Sequence, residues 1–295
     1  MDADLQGRYG EIYDRGYQHY LGKRLGRWHA IWALAVYSIK RAMGIKKSWT
    51  AKVIPIILYL AVVGTVLVVI GIQAFAGDAA NDVMSFPDYF SFIYLIQGAF
   101  VATIAPEMLC GDRRENVLSL YFSRAITRWD YVIAKLIATA ILTMTISTVP
   151  AVILWLFRQL LADAPLHALR TNADELLKVI VVGTLIAGLL GCGGLVISSF
   201  TGRKSIATAV IFVGYAVLEG LVNGLMAASS ERVRDYLALL SPGRLLNEMA
   251  LKMFGRWEIA DMDHTGFDWP VYVAAALGWI VLGIVVMAWR YVPED

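Results

Sequence analysis

The stretch VIPIILYLAVVGTVLVVIGIQAF, Val53–Phe75, runs for 23 residues without a charge. As an α-helix rising about 1.5 Å per residue, it covers the roughly 30 Å hydrocarbon core of a bilayer. Five further runs of similar character follow, at Phe90–Leu109, Leu136–Phe157, Val179–Phe200, Ile206–Ala228 and Val271–Trp289. Lipid offers backbone amides no hydrogen-bond partner, so each run must close its bonds internally as a helix. The fold class is therefore all-α, a polytopic membrane protein with a six-helix transmembrane bundle. A hydrophobic fraction of 58%, only 17% charged residues and a mean hydropathy of +0.61 exclude an ordinary soluble domain.

The net charge of +2 says less than its distribution. Of the 26 Lys and Arg residues, 18 lie before the first span, between the second and third, between the fourth and fifth, or after the last. The alternate segments carry the other 8, against 13 acids. The positive-inside rule then predicts two cytoplasmic termini in a multi-pass protein of the cell (plasma or inner) membrane. The first fifty residues are polar, basic and aromatic, which is not the pattern of a signal peptide. Cys110 and Cys192 fall at a span end and inside a span, so packing rather than a disulfide is expected of both.

Two regions are expected: a cytoplasmic N-terminal segment with an interfacial elbow helix over 1–52, and a six-span domain over 53–295. Tyr9, Tyr13, Tyr17 and Tyr20 recur at helical spacing. Trp28, Ile31, Trp32, Ala35, Ile39 and Met43 form an apolar stripe beside Arg27, Lys40, Arg41, Lys46 and Lys47. Such a helix suits the headgroup layer, and packing against the bundle explains it equally well. In the inner loop 110–135, Asp112 with Glu115 resembles a capping box opening a short helix, and Thr127 with Asp130 repeats the signal before the third span. The third span holds Pro150 with Thr139, Thr143, Thr145, Ser147 and Thr148, hydroxyls able to satisfy carbonyls that the proline frees. Gly183, Ala187 and Gly191 mark a close packing face on the fourth. The outer loop 229–269 reads as two external amphipathic helices. Val233, Tyr236, Leu237 and Leu240 share a face of the first, and Ser241-Pro242 opens the second with Leu245, Leu246, Met249 and Met253.

No Walker A sequence, His-Glu-x-x-His helix or Gly-x-Ser-x-Gly elbow occurs, so neither ATP hydrolysis nor those metal and nucleophile chemistries are expected of this chain. Asp261, Asp263, His264 and Asp268 match no calcium-loop spacing and read as an acidic turn. Within the spans, Gln97, Glu107, Glu219 and Asn223 are the exceptional groups. A charge in mid-membrane costs at least about 2.5 kcal/mol, so it faces a partner or a wet path. Tyr215, Glu219 and Asn223 lie four apart, one stripe along the fifth span. A polar zipper between helices and the lining of a pathway both account for that stripe.

The stretch Pro106–Lys135, PEMLCGDRRENVLSLYFSRAITRWDYVIAK, resembles the signature of ATP-binding-cassette export permeases of the type-2 family. There an acidic-basic run leads into a leucine-rich helix, a Ser-Arg-Pro-like turn and a closing Gly-Lys. Ala125 stands where proline is usual and Ala134 where glycine is usual. The resemblance implies a permease subunit working as a homo- or heterodimer in membrane lipid, with no enzyme activity and no cofactor of its own. A separate cytoplasmic ATPase, two copies per dimer, would bind Mg-ATP. Arg113, Arg114, Glu115, Asn116, Val117, Leu118, Leu120, Tyr121, Phe122 and Arg124 would couple to it, with Val117, Leu118 and Tyr121 in the joint. Gln97, Tyr215, Glu219 and Asn223 would line the translocation path. The cargo stays open among peptide, lipid, drug and polysaccharide, and nucleic acid is not an expected partner. An intramembrane hydrolase needs paired groups at one depth, and a secondary transporter or channel needs repeats or broken helices; neither pattern is found here.

Single cysteines at Ser119→Cys and Asp263→Cys, in a background lacking Cys110 and Cys192, test the orientation. An impermeant thiol reagent on intact cells should label position 263 and spare 119; the reverse pattern would overturn the charge-based topology.

Overall fold

In the computed structural model of the chain, the described residues are 25–45, 49–76, 84–122, 126–256 and 266–292. They form the helices α1 (Arg27–Ala42), α2 (Thr50–Ala76), α3 (Phe86–Arg114), α4 (Val117–Phe122), α5 (Arg128–Leu161), α6 (Pro165–Thr171), α7 (Ala173–Ser199), α8 (Lys204–Ala227), α9 (Glu231–Ala238), α10 (Pro242–Met253) and α11 (Trp269–Tyr291), with no strand among the described residues. Six of them, α2, α3, α5, α7, α8 and α11, are long and apolar enough to cross a membrane. The tyrosine series 9–20, Lys46, Lys47 and the acidic turn at 261–264 lie outside the described residues.

Burial ranks the spans. The apolar windows of α3 and α7 are each 61% buried and that of α5 44%, against 17% for α8 and 22% for α2 and α11. So α3, α5 and α7 form the centre, and the other three lie around it with broad apolar faces turned outward. The most extensive contact joins α5 to α7. It depends on small residues, because apolar side chains gain little by leaving lipid for each other and close backbone approach matters more. A Cβ on Gly183 would lie 2.8 Å from Thr148 Oγ1 and 3.0 Å from its Cα, so the two backbones meet there. Ser147 Oγ donates across the same seam to Gly183 O at 2.9 Å. Thr143 and Thr145 bond carbonyls one turn back within α5, Thr143 to Thr139 and Ala140 and Thr145 to Leu142, while Thr139 donates to Met108 Sδ of α3 at 3.3 Å. Ser147, Thr139 and Thr145, the last also bonded to Tyr59 of α2, link α5 to neighbouring helices, and none of these hydroxyl bonds goes to the Ile146 carbonyl before Pro150.

The caps are partly as expected. Thr127 and Asp130 form a reciprocal capping box at the start of α5, and Ser241 Oγ accepts from Arg244 N at the start of α10, with Pro242 in the first turn. Asp112 caps nothing: α3 runs on to Arg114, so Asp112 lies inside the helix and wholly buried. At its other end α3 begins at Phe86, four residues before the expected span, through a Ser85–Asp88 capping box.

Helix α1 packs on α5 and α3 through Ile31, Leu34, Ala35, Ser38 and Ala42. Trp28 and Trp32 point away from the bundle, 75% and 53% exposed, while Arg41 turns inward and so departs from the expected basic outer face. Of the outer helices, α10 is set into the bundle against α11 and α3, burying Leu245, Leu246, Met249 and Ala250. Helix α9 lies along α8 through Leu237 and Ala238 and leaves Val233, Tyr236 and Leu240 exposed, an apolar outer face suited to the membrane interface. Short α6, unanticipated, is tied down where Asn172 donates to Gln159 at 2.7 Å.

The α5–α7 seam makes a direct prediction. Gly183→Leu should destabilise the protein by about 1–3 kcal/mol through overpacking, whereas Gly71→Leu, where a Cβ meets nothing within 4 Å, should leave stability unchanged. Thermal unfolding in detergent checks both.

Candidate functional site

Two polar assemblies stand out, at opposite ends of the bundle. The first lies where α1, α3 and α5 converge. Asp112 Oδ1 is 2.6 Å from Arg41 Nη1, and its Oδ2 is 2.7 Å from Lys135 Nζ and 3.0 Å from the Tyr131 hydroxyl. Lys135 also donates to Ser38 Oγ at 3.0 Å and to Met108 O at 2.9 Å. The Asp112 side chain is 0% exposed and that of Lys135 1%. Buried charges survive only when fully paired and hydrogen bonded, and these are. Burial pulls the Arg41 guanidinium down, but the Asp112 and then the Glu115 carboxylate outweigh it and hold the group above its ordinary value.

Just beyond this cluster the chain turns. Glu115 ends α3, Asn116 takes a left-handed φ of 50°, and α4 begins at Val117. The structure divides the residues read as coupling elements. Arg113 donates to Ser199 O at the end of α7, and Glu115 reaches Arg41 at 3.1 Å. Leu118 and Tyr121 pack against the bundle, the Tyr121 ring 6.2 Å from that of Tyr131. Both are half-buried there, as is Val117, so part of each side chain packs on the bundle and part stays accessible. Burial, then the Asp112 charge, pushes the Tyr121 phenol up to about 12. Arg114, Glu115 and Asn116 are exposed and Val117 half-buried, so the outward surface is the turn itself. Leu120 and Phe122 fall within α4, and Arg124 lies outside the described residues. Nearby, Lys204 at the start of α8 pairs with Glu107 of α3 at 2.6 Å.

The second assembly lies at the far end of α8. Glu219 accepts from the Tyr94 hydroxyl at 2.9 Å, from Ser241 Oγ and from the Gly243 backbone N–H. It thus places a carboxylate at the N-terminus of α10, where orphan amides and the helix dipole favour negative charge. Glycine at 243 permits this approach, since a Cβ there would come within 2.6 Å of Glu219 Oε1. Around Glu219 opens a chamber of about 800 Å³, lined also by Asn223, Tyr94, Asn247, Arg234 and Arg244. The expected stripe divides along its length: Asn223 accepts from Arg244 Nε at 3.3 Å, while Tyr215 donates to Leu190 O of α7 at 3.2 Å. Gln97 is wholly buried and lies outside the chamber wall.

A family model described as ABC-2 family transporter protein matches residues 65–295. The chain belongs to the ABC-2 family of transporter proteins. A search of curated proteins returned no match. As an ABC-2 permease the chain is a membrane-embedded, multi-pass transport component, not itself a catalyst. The matched region includes the signature stretch 106–135 and both assemblies except Arg41 and Ser38. Sequence reasoning missed Asp112, Arg41 and Lys135 as partners, and Tyr94, Arg234 and Arg244 as wall residues. For Asp112 a signal existed: Val101, Ala105, Met108 and Asp112 continue one buried helical face at spacings of four, three and four.

The geometry separates two substitutions at Glu219. Gln keeps one acceptor for Tyr94 and Gly243 and offers its amide to the Ser241 oxygen, so stability should change by less than about 1 kcal/mol. Glu219→Leu strands the Gly243 N–H and the Tyr94 hydroxyl, and should cost about 2–4 kcal/mol. Unfolding midpoints of the two purified variants check this; equal loss would show the carboxylate charge, not the hydrogen bonds, to be decisive.

Proposed function

We propose that the chain is the permease half of an ATP-driven exporter in the plasma membrane, working as a dimer with its termini and the α3–α4 turn in the cytoplasm. A separate ABC ATPase docks on that turn and supplies Mg-ATP hydrolysis, and cargo passes along the α3–α8 face, with Tyr94, Glu219 and Asn223 beside its outer part. Residues 1–52 form the N-terminal segment and elbow, and 53–295 the permease domain.

The observation that carries the reading is the exposed Arg114–Asn116 turn and the α4 that follows, braced from behind by the Asp112 cluster. A push on that turn reaches α3 within one helical turn, and through Asp112 it reaches α1 and α5 at the same depth. A floppy loop would absorb such a push. The family match over most of the chain supports the same assignment. The excess of basic residues at this end of the bundle supports its cytoplasmic placement.

Co-isolation tests the partner, and substitution tests the surface. An affinity-tagged chain should bring down an ATPase encoded by a neighbouring reading frame. Arg114→Glu with Val117→Asp should abolish or sharply reduce that association while the permease stays folded, since burying unpaired carboxylates in an interface costs several kcal/mol. Tyr121→Asp should instead lower thermal stability, because that ring packs on the bundle. An ATPase retained with unchanged stimulated activity in the double variant would reject the docking surface.

A further inference from the structure

Midway along their length α3 and α8 part around a hollow of about 140 Å³. Leu95, Gly98 and Ala99 of α3 form one wall, Phe212 and Ala216 of α8 the other, and Leu190 of α7 closes the back. Small residues leave the gap: a Cβ on Gly98 would meet nothing within 4 Å. Ala216 stands at the middle of α8, about 17 Å from either end at about 1.5 Å per residue. Leu95 is 70% exposed and Phe212 56%, so the hollow opens on the outside of the bundle at that depth.

The polar groups at its border are engaged inside the protein. The Tyr94 hydroxyl donates to Glu219, Glu219 also accepts from Ser241 and Gly243, and the Tyr215 hydroxyl donates to Leu190 O. A bound water needs about two to four polar partners, more than these engaged groups offer, and an apolar cavity of about this size stays dry and takes up small hydrocarbons. Left empty, the hollow would forfeit dispersion contacts on both walls. The medium that reaches its opening at mid-span is the hydrocarbon of the bilayer.

We propose that this hollow is a binding slot for one acyl chain of a bilayer phospholipid, which enters sideways and lies as a wedge between α3 and α8. The two helices are joined by Glu107–Lys204 toward one end and by Tyr94–Glu219 at the border of the slot, and the chain fills the gap between these contacts. Slot and lipid are equally apolar, so the chain is retained by filling a void rather than by leaving water. The head stays in the headgroup layer, and its charge plays no part in recognition. Bringing α8 flush against α3 requires the chain to leave, so the slot lets the bilayer bear on the position of the least buried span.

The test reconstitutes the permease in phosphatidylcholine vesicles holding a small fraction of the same lipid with a photoactivatable diazirine halfway along one acyl chain, and mass spectrometry maps the crosslinked residues. Residues 94–99 and 212–219 should label severalfold more densely than Leu60 and Leu67, which are exposed on either side of the middle of α2. The same chain carried on phosphatidylglycerol should label the slot equally. Gly98→Leu and, from the opposite wall, Ala216→Leu should each fill the slot and bring its labelling down to the α2 level, with α2 itself unchanged. Gly214→Leu, on α8 outside the slot lining and also at a site where a Cβ meets nothing within 4 Å, should leave slot labelling as it was. Leucine in place of glycine favours the helix, and unfolding midpoints in detergent verify that each variant is folded. Slot labelling no denser than that of α2, as when a second copy of the chain covers this face, would overturn the proposal. So would a head-group preference, or labelling undiminished in the two filled variants. Each of these failures would leave the permease reading standing, because that reading is tested through the ATPase.

Discussion

A carboxylate with no solvent exposure inside a membrane bundle has to be held by cations and donors, and at Asp112 these come from two other helices. Arg41 of α1 takes one oxygen, and Lys135 and Tyr131 of α5 share the other. Removing any one partner leaves charge buried without its complement, so the three helices are bound to one geometry. The constraint also sits two residues before the end of α3, immediately ahead of the turn that carries α4. Whatever bears on that turn meets a rigid body rather than a hinge. The packing of α1 against the bundle, the half-buried set of Tyr121 and the exposure of Arg114–Asn116 all follow from where this cluster anchors the chain.

The opposite end solves a different problem. Helix α8 is the least buried span, and apolar contact contributes little to helix association in lipid. Two polar clasps join it to α3, Lys204 with Glu107 near the basic end and Glu219 with Tyr94 near the other. The second clasp also fixes α10, because the same carboxylate accepts from that helix's Gly243 N–H. A single acid thus closes the junction of three helices and leaves a chamber between them. The contrast is functional: three central helices packed through glycine and hydroxyl seams, and one peripheral helix held by a few polar contacts and so free to change its neighbours.

Much of this was legible in the sequence, and the reasons for the rest are physical. The six spans follow from length and hydropathy alone, because nothing but a helix satisfies its backbone in lipid. Local chemistry also read true: the Thr127–Asp130 box and the Ser241-Pro242 start depend on residues three apart, and the glycine face of α7 on residues four apart. Family membership came from the resemblance at 106–135. What escaped was long-range pairing. Asp112 followed by Glu115 satisfies the capping pattern as written, and only the continuation of α3's buried face to 112 shows the other outcome. Arg41 reads as one of several basic residues on α1, and its pairing with a residue 71 positions away leaves no local trace. Glu219 was singled out correctly as needing a partner, but the amide that answers it belongs to a helix 24 residues further on. The half-buried set of Leu118 and Tyr121 was not legible, because an apolar flank on a short loop helix fits a partner and its own bundle equally well.

Asp112 and Lys135 act as one interacting unit that holds α3 to α5. A double-mutant cycle measures it directly: Asp112→Asn, Lys135→Met and the two combined, each followed by equilibrium unfolding of the purified permease in the same detergent. The double variant should lose less stability than the two single losses added together, with a coupling energy of about 2 kcal/mol or more, within the range known for contacting groups. Additive losses, with coupling below about 0.5 kcal/mol, would contradict it.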